Sequence, residues 1–118
     1  MADFYTIVSE TNSGEGNYEF DLEMNPDHPV YEGHFPEMAV APGVMLTDLV
    51  GSLTSKTANK TLELTSARNI KFMVPVLPKK EKRMHVKLNV SESEGVYTAK
   101  AVANHEEMTF FKIVASFK

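Results

Sequence analysis

Residues 31–48 read YEGHFPEMAVAPGVMLTD, and this stretch decides the fold that the rest of the chain supports. It begins as a loop rich in Gly and Pro and ends in an apolar segment typical of a helix. His34 lies in the loop, and Asp48 follows 14 residues later among apolar neighbours. A histidine in a tight loop and an acid on an apolar helix could meet in one pocket, which makes these two residues the first candidates for a functional site.

A helix is predicted from Gly43 to Thr57, with residues 58–60 as its exit. Pro42 stands directly before it, and proline suits a helix start because its missing N–H would have no intrahelical acceptor. The apolar positions of this helix are Val44, Met45, Leu46, Leu49, Val50 and Leu53. They cover more than one stripe, which predicts a helix that is buried nearly all round.

The segments on either side of the helix are typical of strands. Residues 18–24 alternate apolar and acidic side chains, the period of two that indicates a strand with one buried face. Further strands are predicted at residues 3–10, 61–74, 83–91, 96–103 and 107–117. This order predicts one α+β domain over residues 1–118, in which a curved antiparallel sheet of about five to six strands wraps around one long central helix. The open sheet edge favours a dimer or a higher oligomer.

Composition excludes several functions. The chain has 118 residues and a net charge of −4, which argues against nucleic-acid binding because that needs a basic surface. It has no cysteine, so a disulfide framework and a cysteine nucleophile are excluded. The sequence begins without a basic and then apolar signal, and it has no apolar run of membrane-spanning length. We therefore predict a soluble cytoplasmic protein.

Motifs in the quoted stretch resemble a known family. They are Gly33-His34-Phe35-Pro36, Pro42-Gly43-Val44 and the acid Asp48, and the later run IKFMVPVLP at residues 70–78 is also similar. Over residues 15–118 the chain resembles the hot-dog-fold 3-hydroxyacyl-[acyl carrier protein] dehydratases of fatty acid synthesis. Residues 28–34 (HPVYEGH) resemble a short stand-alone branch of that family, as in polyene-lipid or polyketide-like pathways.

The resemblance implies a homodimer with two active sites at its interface, where His34 of one chain faces Asp48 of the other. His34 would take a proton from C2 of a 3-hydroxyacyl thioester on acyl carrier protein. Asp48 would serve the departing C3 hydroxyl, and the backbone N–H of Gly43 would bind the thioester carbonyl. Substrate contacts would come from Phe35, Pro36, Pro42 and Val44. The product would be the trans-2-enoyl thioester, and neither cofactor nor metal is expected.

These residue types suit the elimination that the resemblance implies. Imidazole is an effective base near neutral pH because its pKa lies close to 7. A helix N-terminus presents N–H groups and a partial positive charge, which stabilise a developing oxyanion. Glycine at position 43 would let a ligand approach the backbone closely.

The chain departs from the family pattern at four positions. Asp48 stands where the larger dehydratase branch usually has Glu, and Glu37 and Ala39 stand where the family usually has Gly and Pro. Ser52 replaces a common glutamine four residues after the acid. Two other functions stay open: a hot-dog acyl thioesterase, which also uses a helix acid and helix N–H groups, and a non-catalytic hot-dog subunit that pairs with an active partner.

One dense basic run, formed by Lys79, Lys80, Lys82 and Arg83, interrupts an otherwise acidic chain. It is a candidate docking site for acyl carrier protein, because basic residues steer the approach of an acidic partner. The alternative is a solvated turn before a strand. The histidines His28, His85 and His105 are predicted to be structural or exposed.

Overall fold

The computed structural model describes residues 3–32 and 40–118. The predicted base His34 and the predicted substrate contacts Phe35 and Pro36 lie outside these residues, as do Glu37 and Ala39. Their roles stay predictions.

The described residues form six strands, one α-helix and a short 3₁₀ helix at Pro29–Tyr31. The elements are β1 (Tyr5–Gly14), β2 (Asn17–Met24), α1 (Gly43–Ala58), β3 (Leu64–Phe72), β4 (Arg83–Ser93), β5 (Val96–His105) and β6 (Met108–Phe117). All strand pairs are antiparallel, and the order across the sheet is β1-β2-β4-β5-β6-β3. The predicted α+β class, with five to six strands and one helix, is confirmed in this outline.

The sheet curves around the helix. β1 and β3 are its two edges, yet both contact α1. On one side, Lys56 of α1 lies 3.4 Å from Glu10 of β1. On the other side, the ring of Phe72 on β3 lies against Gly43 at the start of α1. A sheet whose opposite edges touch one helix must wrap around it, which agrees with the prediction.

The helix is buried on one face only. Leu46, Leu49, Val50 and Leu53 are at most 3% exposed, and full burial of such a side chain contributes about 1.5–3 kcal/mol. Val44, Asp48, Ser52 and Lys56 form an exposed stripe, and Val44 is 69% exposed. The prediction of a helix buried nearly all round is therefore wrong for a single chain. The four-residue spacing keeps these side chains on one face, and the two sheet edges leave that face open.

The ends of the helix agree closely with the prediction. α1 has 16 residues and ends one residue later than expected, at Ala58. Asn59 then adopts a left-handed conformation, and its N–H bonds to the carbonyls of Ser55 and Lys56. This arrangement satisfies carbonyl groups that the end of a helix leaves without partners.

The observed strands differ most from the predicted ones at the two edges of the sheet, in β1 and β3. β2 alternates as expected, with Phe20, Leu22 and Met24 at most 1% exposed. β1, in contrast, continues to Gly14, four residues beyond the predicted end of this strand at residue 10. All nine residues of β3 are exposed, including the apolar Leu64, Ile70 and Phe72.

 Their exposed fractions are 49% for Leu64, 38% for Ile70 and 49% for Phe72. A strand at a sheet edge pairs on one side only, so no strand covers these side chains from the other side within the described residues.

Candidate active site

The first backbone N–H groups of α1 have no acceptor among the residues that the structure describes. Pro42 is the N-cap and makes no side-chain capping bond. The N–H groups of Met45 and Leu46 bond to the Pro42 carbonyl at 3.0 and 3.1 Å. The N–H groups of Gly43 and Val44 come before these and have no acceptor within the helix. This end of the helix therefore offers donors, and the partial positive charge of the dipole, to an anion.

Gly43 is also a point of close packing. A Cβ atom at this position would lie 2.9 Å from the ring of Phe72, closer than real Cβ contacts allow. The Phe72 ring is held in turn by an edge contact with Phe111, with ring centroids 6.2 Å apart. Close packing against Phe72 is therefore a second reason for glycine at this position, beside the access to its backbone N–H that was predicted.

An apolar pocket of about 270 Å³ lies at this helix start. Its lining residues are Val40, Ala41, Gly43, Leu46, Phe72, Met73, Val74, Pro75 and Val76. A hydrogen bond of 2.9 Å from the Ala41 N–H to the Val76 carbonyl joins its two walls. We call it the helix-start pocket. Its apolar walls suit a hydrocarbon chain or a thioester rather than a free charge.

Asp48 lines a different cavity, a cleft of about 650 Å³. The residues around it are Thr47, Asp48, Gly51, Ser52, Ser55, Thr61, Leu62, Glu63, Leu64 and Phe117. Two of its hydroxyls already have backbone partners: Thr47 donates to the Gly43 carbonyl at 2.9 Å, and Ser55 accepts from the Leu62 N–H at 3.1 Å. We call this cavity the Asp48 cleft.

The single chain does not bring Gly43 and Asp48 together. Gly43 lines the helix-start pocket and Asp48 lines the Asp48 cleft, and the two cavities share no lining residue. Asp48 is exposed, as is Val44, while Pro42 is half-buried. The described residues therefore do not enclose Asp48 in the apolar surroundings that were predicted.

Tyr5 lies beside Ser52 of the Asp48 cleft, a position that the sequence did not reveal. Burial raises the pKa of the Tyr5 hydroxyl, and a hydrogen bond with Ser52 acts in the opposite direction. Ser52 is the residue that replaces the family's common glutamine, and it lies one helical turn after Asp48. Tyr5 belongs to β1, 47 residues away along the chain, and no local pattern connects them.

Tyr31, the first residue of the quoted stretch, is buried with only 5% exposed. Its hydroxyl has no hydrogen-bond partner among the described residues. Burial raises the pKa of Tyr31 to about 12, so the phenol stays protonated at neutral pH.

The predicted basic run is exposed but partly neutralised. Lys79 and Lys80 are exposed, and Lys82 forms an ion pair of 3.5 Å with Glu23. The run borders a shallow hollow of about 460 Å³ that also contains Asp27 and Glu81. The local field is therefore weaker than the sequence alone indicated.

The three described histidines have structural partners. His28 accepts a bond of 3.0 Å from the Val30 N–H and caps the 3₁₀ helix. His105 lies 2.6 Å from Glu81. His85 lies between two carboxylates, with Nδ1 2.8 Å from Asp21 and Nε2 2.9 Å from Glu19.

Within residues 3–32 and 40–118, no group of three His, Asp or Glu side chains is arranged as metal ligands would be.

His85 should make stability depend on pH. Hydrogen bonding to Asp21 raises the pKa of His85 above 6.5, and Glu19 adds to this against the effect of burial. A raised pKa stabilises the fold below the unfolded value, and this stabilisation is lost as pH rises through the folded value. We expect the Tm of the wild type to fall as pH rises from below 6.5 through the raised pKa of His85, and that of His85→Gln to change less. Thermal unfolding across this range measures both.

Asp21, the acidic partner of His85, changes stability with pH in the opposite direction. The hydrogen bond from His85 lowers the pKa of Asp21 below 3.8, so its stabilisation is present above that value and is lost as pH falls through the lowered one. Stability from this pair is therefore greatest between the two transitions. Parallel Tm curves for wild type and His85→Gln would contradict this account.

Comparisons with known proteins agree with this architecture. Residues 9–110 match the model of the ApeI-like family, which is described as ApeI dehydratase. The 3-hydroxyacyl-[acyl-carrier-protein] dehydratase FabZ of Vibrio cholerae is 30% identical over 110 residues, which cover 85% of this chain and 71% of that protein. The FabZ of Solibacter usitatus is 28% identical over 74% of this chain, and that of Colwellia psychrerythraea is 31% identical over 60%. The chain spans 62% and 53% of the length of these last two relatives.

Solved structures share the fold. The structure described as the dehydratase heterocomplex ApeI:P from Xenorhabdus doucetiae has a TM-score of 0.75 at 18% identity, covering 95% of this chain and 96% of that one. An uncharacterised protein from Erwinia carotovora subsp. atroseptica has a TM-score of 0.67 at 19% identity, covering 97% and 94%. In the described parts of the chain, no helix is both long and apolar enough to cross a membrane. Because the family match covers most of the sequence, the chain belongs to the ApeI-like dehydratase family of hot-dog proteins.

Proposed function

We propose that the chain removes water from a 3-hydroxyacyl thioester held on acyl carrier protein and gives the trans-2-enoyl thioester, in fatty acid or polyene-like lipid synthesis. The observation that carries this proposal is the helix that begins at Gly43. It offers N–H groups without a helical acceptor at its start and an exposed acid, Asp48, on its open stripe. The Gly33-His34-Phe35-Pro36 motif precedes it by six residues in the sequence. Family membership and the FabZ relatives support the same reaction class.

The reaction breaks the C2–H and C3–O bonds and forms the C2=C3 double bond. His34 accepts the C2 proton, and the electron pair of that bond moves into the new double bond. The C3 oxygen leaves with the proton of Asp48, so the second product is water. His34 ends with one proton more and Asp48 with one fewer, and exchange with solvent restores both. A positioned base and acid of this kind each contribute about 10²–10⁴-fold to the rate.

The N–H of Gly43 stabilises the thioester carbonyl while negative charge develops on it. Donors that are fixed before the reaction are effective because they need no reorganisation as the charge appears. Gly43 and Val44 have no helical acceptor for their N–H groups, and the adjoining helix-start pocket is apolar. A thioester carbonyl at the helix start would therefore meet donors in a site with little competing water.

We infer that Asp48 acts in the site of a second chain. Gly43 and Asp48 are five residues apart, about 7.5 Å along the helix, and they line separate cavities of one chain. Val44 on the open stripe and Ile70 and Phe72 on the edge strand β3 are apolar and exposed, and Phe72 lies against Gly43 at the start of α1. Exposed apolar side chains of this kind are typical of an interface. A homodimer that covers them would place His34 of one chain opposite Asp48 of the other.

A different hot-dog subunit is the second candidate partner. The Xenorhabdus structural neighbour is described as a heterocomplex, and Ser52 departs from the family's usual glutamine beside the acid. In this case the chain would contribute only part of each site, and the purified protein alone would be inactive.

One assay separates these functions. Purified protein is offered crotonyl and 3-hydroxybutyryl thioesters on acyl carrier protein, and both enoyl absorbance and free thiol are followed. Reversible hydration without thiol release supports the dehydratase. Thiol release would instead indicate a thioesterase. Inactivity toward both short and long chains would favour the subunit that needs a partner.

Gly43→Ala tests the helix start. The added Cβ should displace the Phe72 ring and crowd the N–H that binds the carbonyl. We expect kcat/KM to fall by about ten- to hundredfold, because small displacements of reacting groups have effects of this size. Stability should change little, since the Phe72 ring is half-exposed and can move.

The double variant Gly43→Ala/Phe72→Leu is the matched control. It removes the steric conflict with the ring but keeps the added methyl group beside the N–H. Thermal unfolding and steady-state kinetics on both proteins separate the two effects. Wild-type kcat/KM in Gly43→Ala would contradict a role for the Gly43 N–H.

A further inference from the structure

Four lysines that are distant in sequence meet on the outer face of the sheet. They are Lys71 on β3, Lys87 on β4, Lys100 on β5 and Lys112 on β6, and all are exposed. On β4, β5 and β6 the residues beside them along the strand, such as Leu88, Ala101 and Ile113, point into the core. We call these four side chains the lysine patch.

Strand register makes the patch compact. Lys71 lies directly opposite Lys112, and Val102 separates Lys112 from Lys87 in the same row. Lys100 is opposite Val114 and Asn89, so it is diagonal to both Lys112 and Lys87. Diagonal neighbours on a sheet are about 7–8 Å apart. The four charges therefore lie within reach of one binding partner.

The fold does not need this arrangement. Like charges directly opposite each other destabilise a sheet, and Lys71 faces Lys112. A lysine on an edge strand such as β3 blocks unwanted strand pairing, but β4, β5 and β6 are interior strands. Among the described residues, the ion pairs of the sheet use other cations, and no patch lysine lies within 4.0 Å of a carboxylate. In a chain of net charge −4, these cations are concentrated. Among the four, only Lys87 has a carboxylate directly opposite it in register, that of Glu19 on β2.

The patch also adjoins the proposed site. Lys71 and Phe72 are consecutive on β3, and consecutive side chains of a strand point to opposite faces. Lys71 therefore faces outward while Phe72 faces Gly43 and lines the helix-start pocket. The lysine patch and the helix-start pocket, where the thioester would bind, therefore lie on opposite faces of the same edge strand.

We propose that the lysine patch is the docking surface for an acidic protein that carries the acyl group. The identity of this partner rests on the proposed function, whereas the position and charge of the surface follow from the strand register alone. The run at residues 79–83 is the less favourable surface because Glu23 pairs with Lys82 and Asp27 lies in the same hollow. A flat anionic membrane fits less well, because Glu19, Asp21 and Glu23 share the outer face and would be repelled. A partner of limited acidic area can contact the lysines and avoid these carboxylates.

The test compares three double variants with the same change in net charge. Lys71→Glu/Lys112→Glu reverses the patch, Lys79→Glu/Lys80→Glu reverses the basic run, and Lys60→Glu/Lys118→Glu is the control. Each is assayed with 3-hydroxybutyryl-acyl carrier protein and with 3-hydroxybutyryl-pantetheine. For the patch variant we expect KM for the carrier substrate to rise about tenfold at low salt, and KM for the pantetheine substrate to stay at the wild-type value. Added salt should reduce the difference between the patch variant and wild type.

Three kinetic results would overturn the proposal. They are an unchanged carrier KM in the patch variant, an equal rise in the control variant, and a rise confined to Lys79→Glu/Lys80→Glu. If the wild type converts neither substrate, the proposed function fails, and fluorescence anisotropy of labelled acyl carrier protein then tests the surface by itself. Binding that is weakened only by patch reversal supports docking. Wild-type binding to phosphatidylserine vesicles, without binding to the carrier, would point to a membrane and overturn it.

Discussion

His34→Ala is expected to lower kcat for dehydration by about 10²–10⁴-fold, the usual effect of removing a positioned general base. Imidazole can accept the C2 proton near neutral pH, whereas alanine has no group that can replace it. No other described histidine is available for this role, because His28, His85 and His105 each have a structural partner. The measurement is the initial rate of enoyl formation with saturating 3-hydroxybutyryl thioester.

His105→Gln is the matched control for His34→Ala. It also removes a histidine, but His105 lies at the end of β5 beside Glu81, away from α1. Its kcat should equal that of the wild type. If His34→Ala folds normally and dehydrates the substrate at the wild-type rate, the proposed base is wrong even though the family assignment stands.

The helix could be predicted well because its signals are local. Pro42 and Gly43 mark the start, the spacing of Leu46, Leu49, Val50 and Leu53 gives the buried face, and Asn59 ends it one residue beyond expectation. Its exposed stripe could not be predicted. Val44 looks like a core residue in the sequence, and only the separation of the two sheet edges leaves it open.

The features that the sequence did not predict depend on pairing between segments that are distant in the chain. Strand order determines that β3 is an edge, and nothing within residues 61–74 indicates it. The proximity of Tyr5 to Ser52, and the pairing of Lys71 with Lys112, likewise bring together residues that are 47 and 41 positions apart. The motifs identify Gly43 and Asp48 from short spacings, but their separation into two cavities follows from the packing around them.

Asp48→Asn is the second change with a large expected effect. Asparagine has nearly the same shape as aspartate, but it cannot exchange a proton with the C3 hydroxyl. We expect kcat to fall by about 10²–10³-fold while KM changes little, because the side chain is exposed in one chain and its loss leaves no cavity. Ser52→Ala, one turn later on the same stripe, is the comparison. It should lower kcat less, since Ser52 can orient the acid but does not transfer a proton.

Mixing the two inactive variants tests whether the site spans two chains. In a mixed dimer of His34→Ala and Asp48→Asn, one site receives both altered residues and the other receives wild-type His34 and wild-type Asp48. Random exchange makes half of the dimers mixed, so the mixture should regain about a quarter of wild-type activity. Each variant alone should stay inactive. If mixing restores nothing although the subunits exchange, His34 and Asp48 must act within one chain, and the open stripe of α1 would need another explanation.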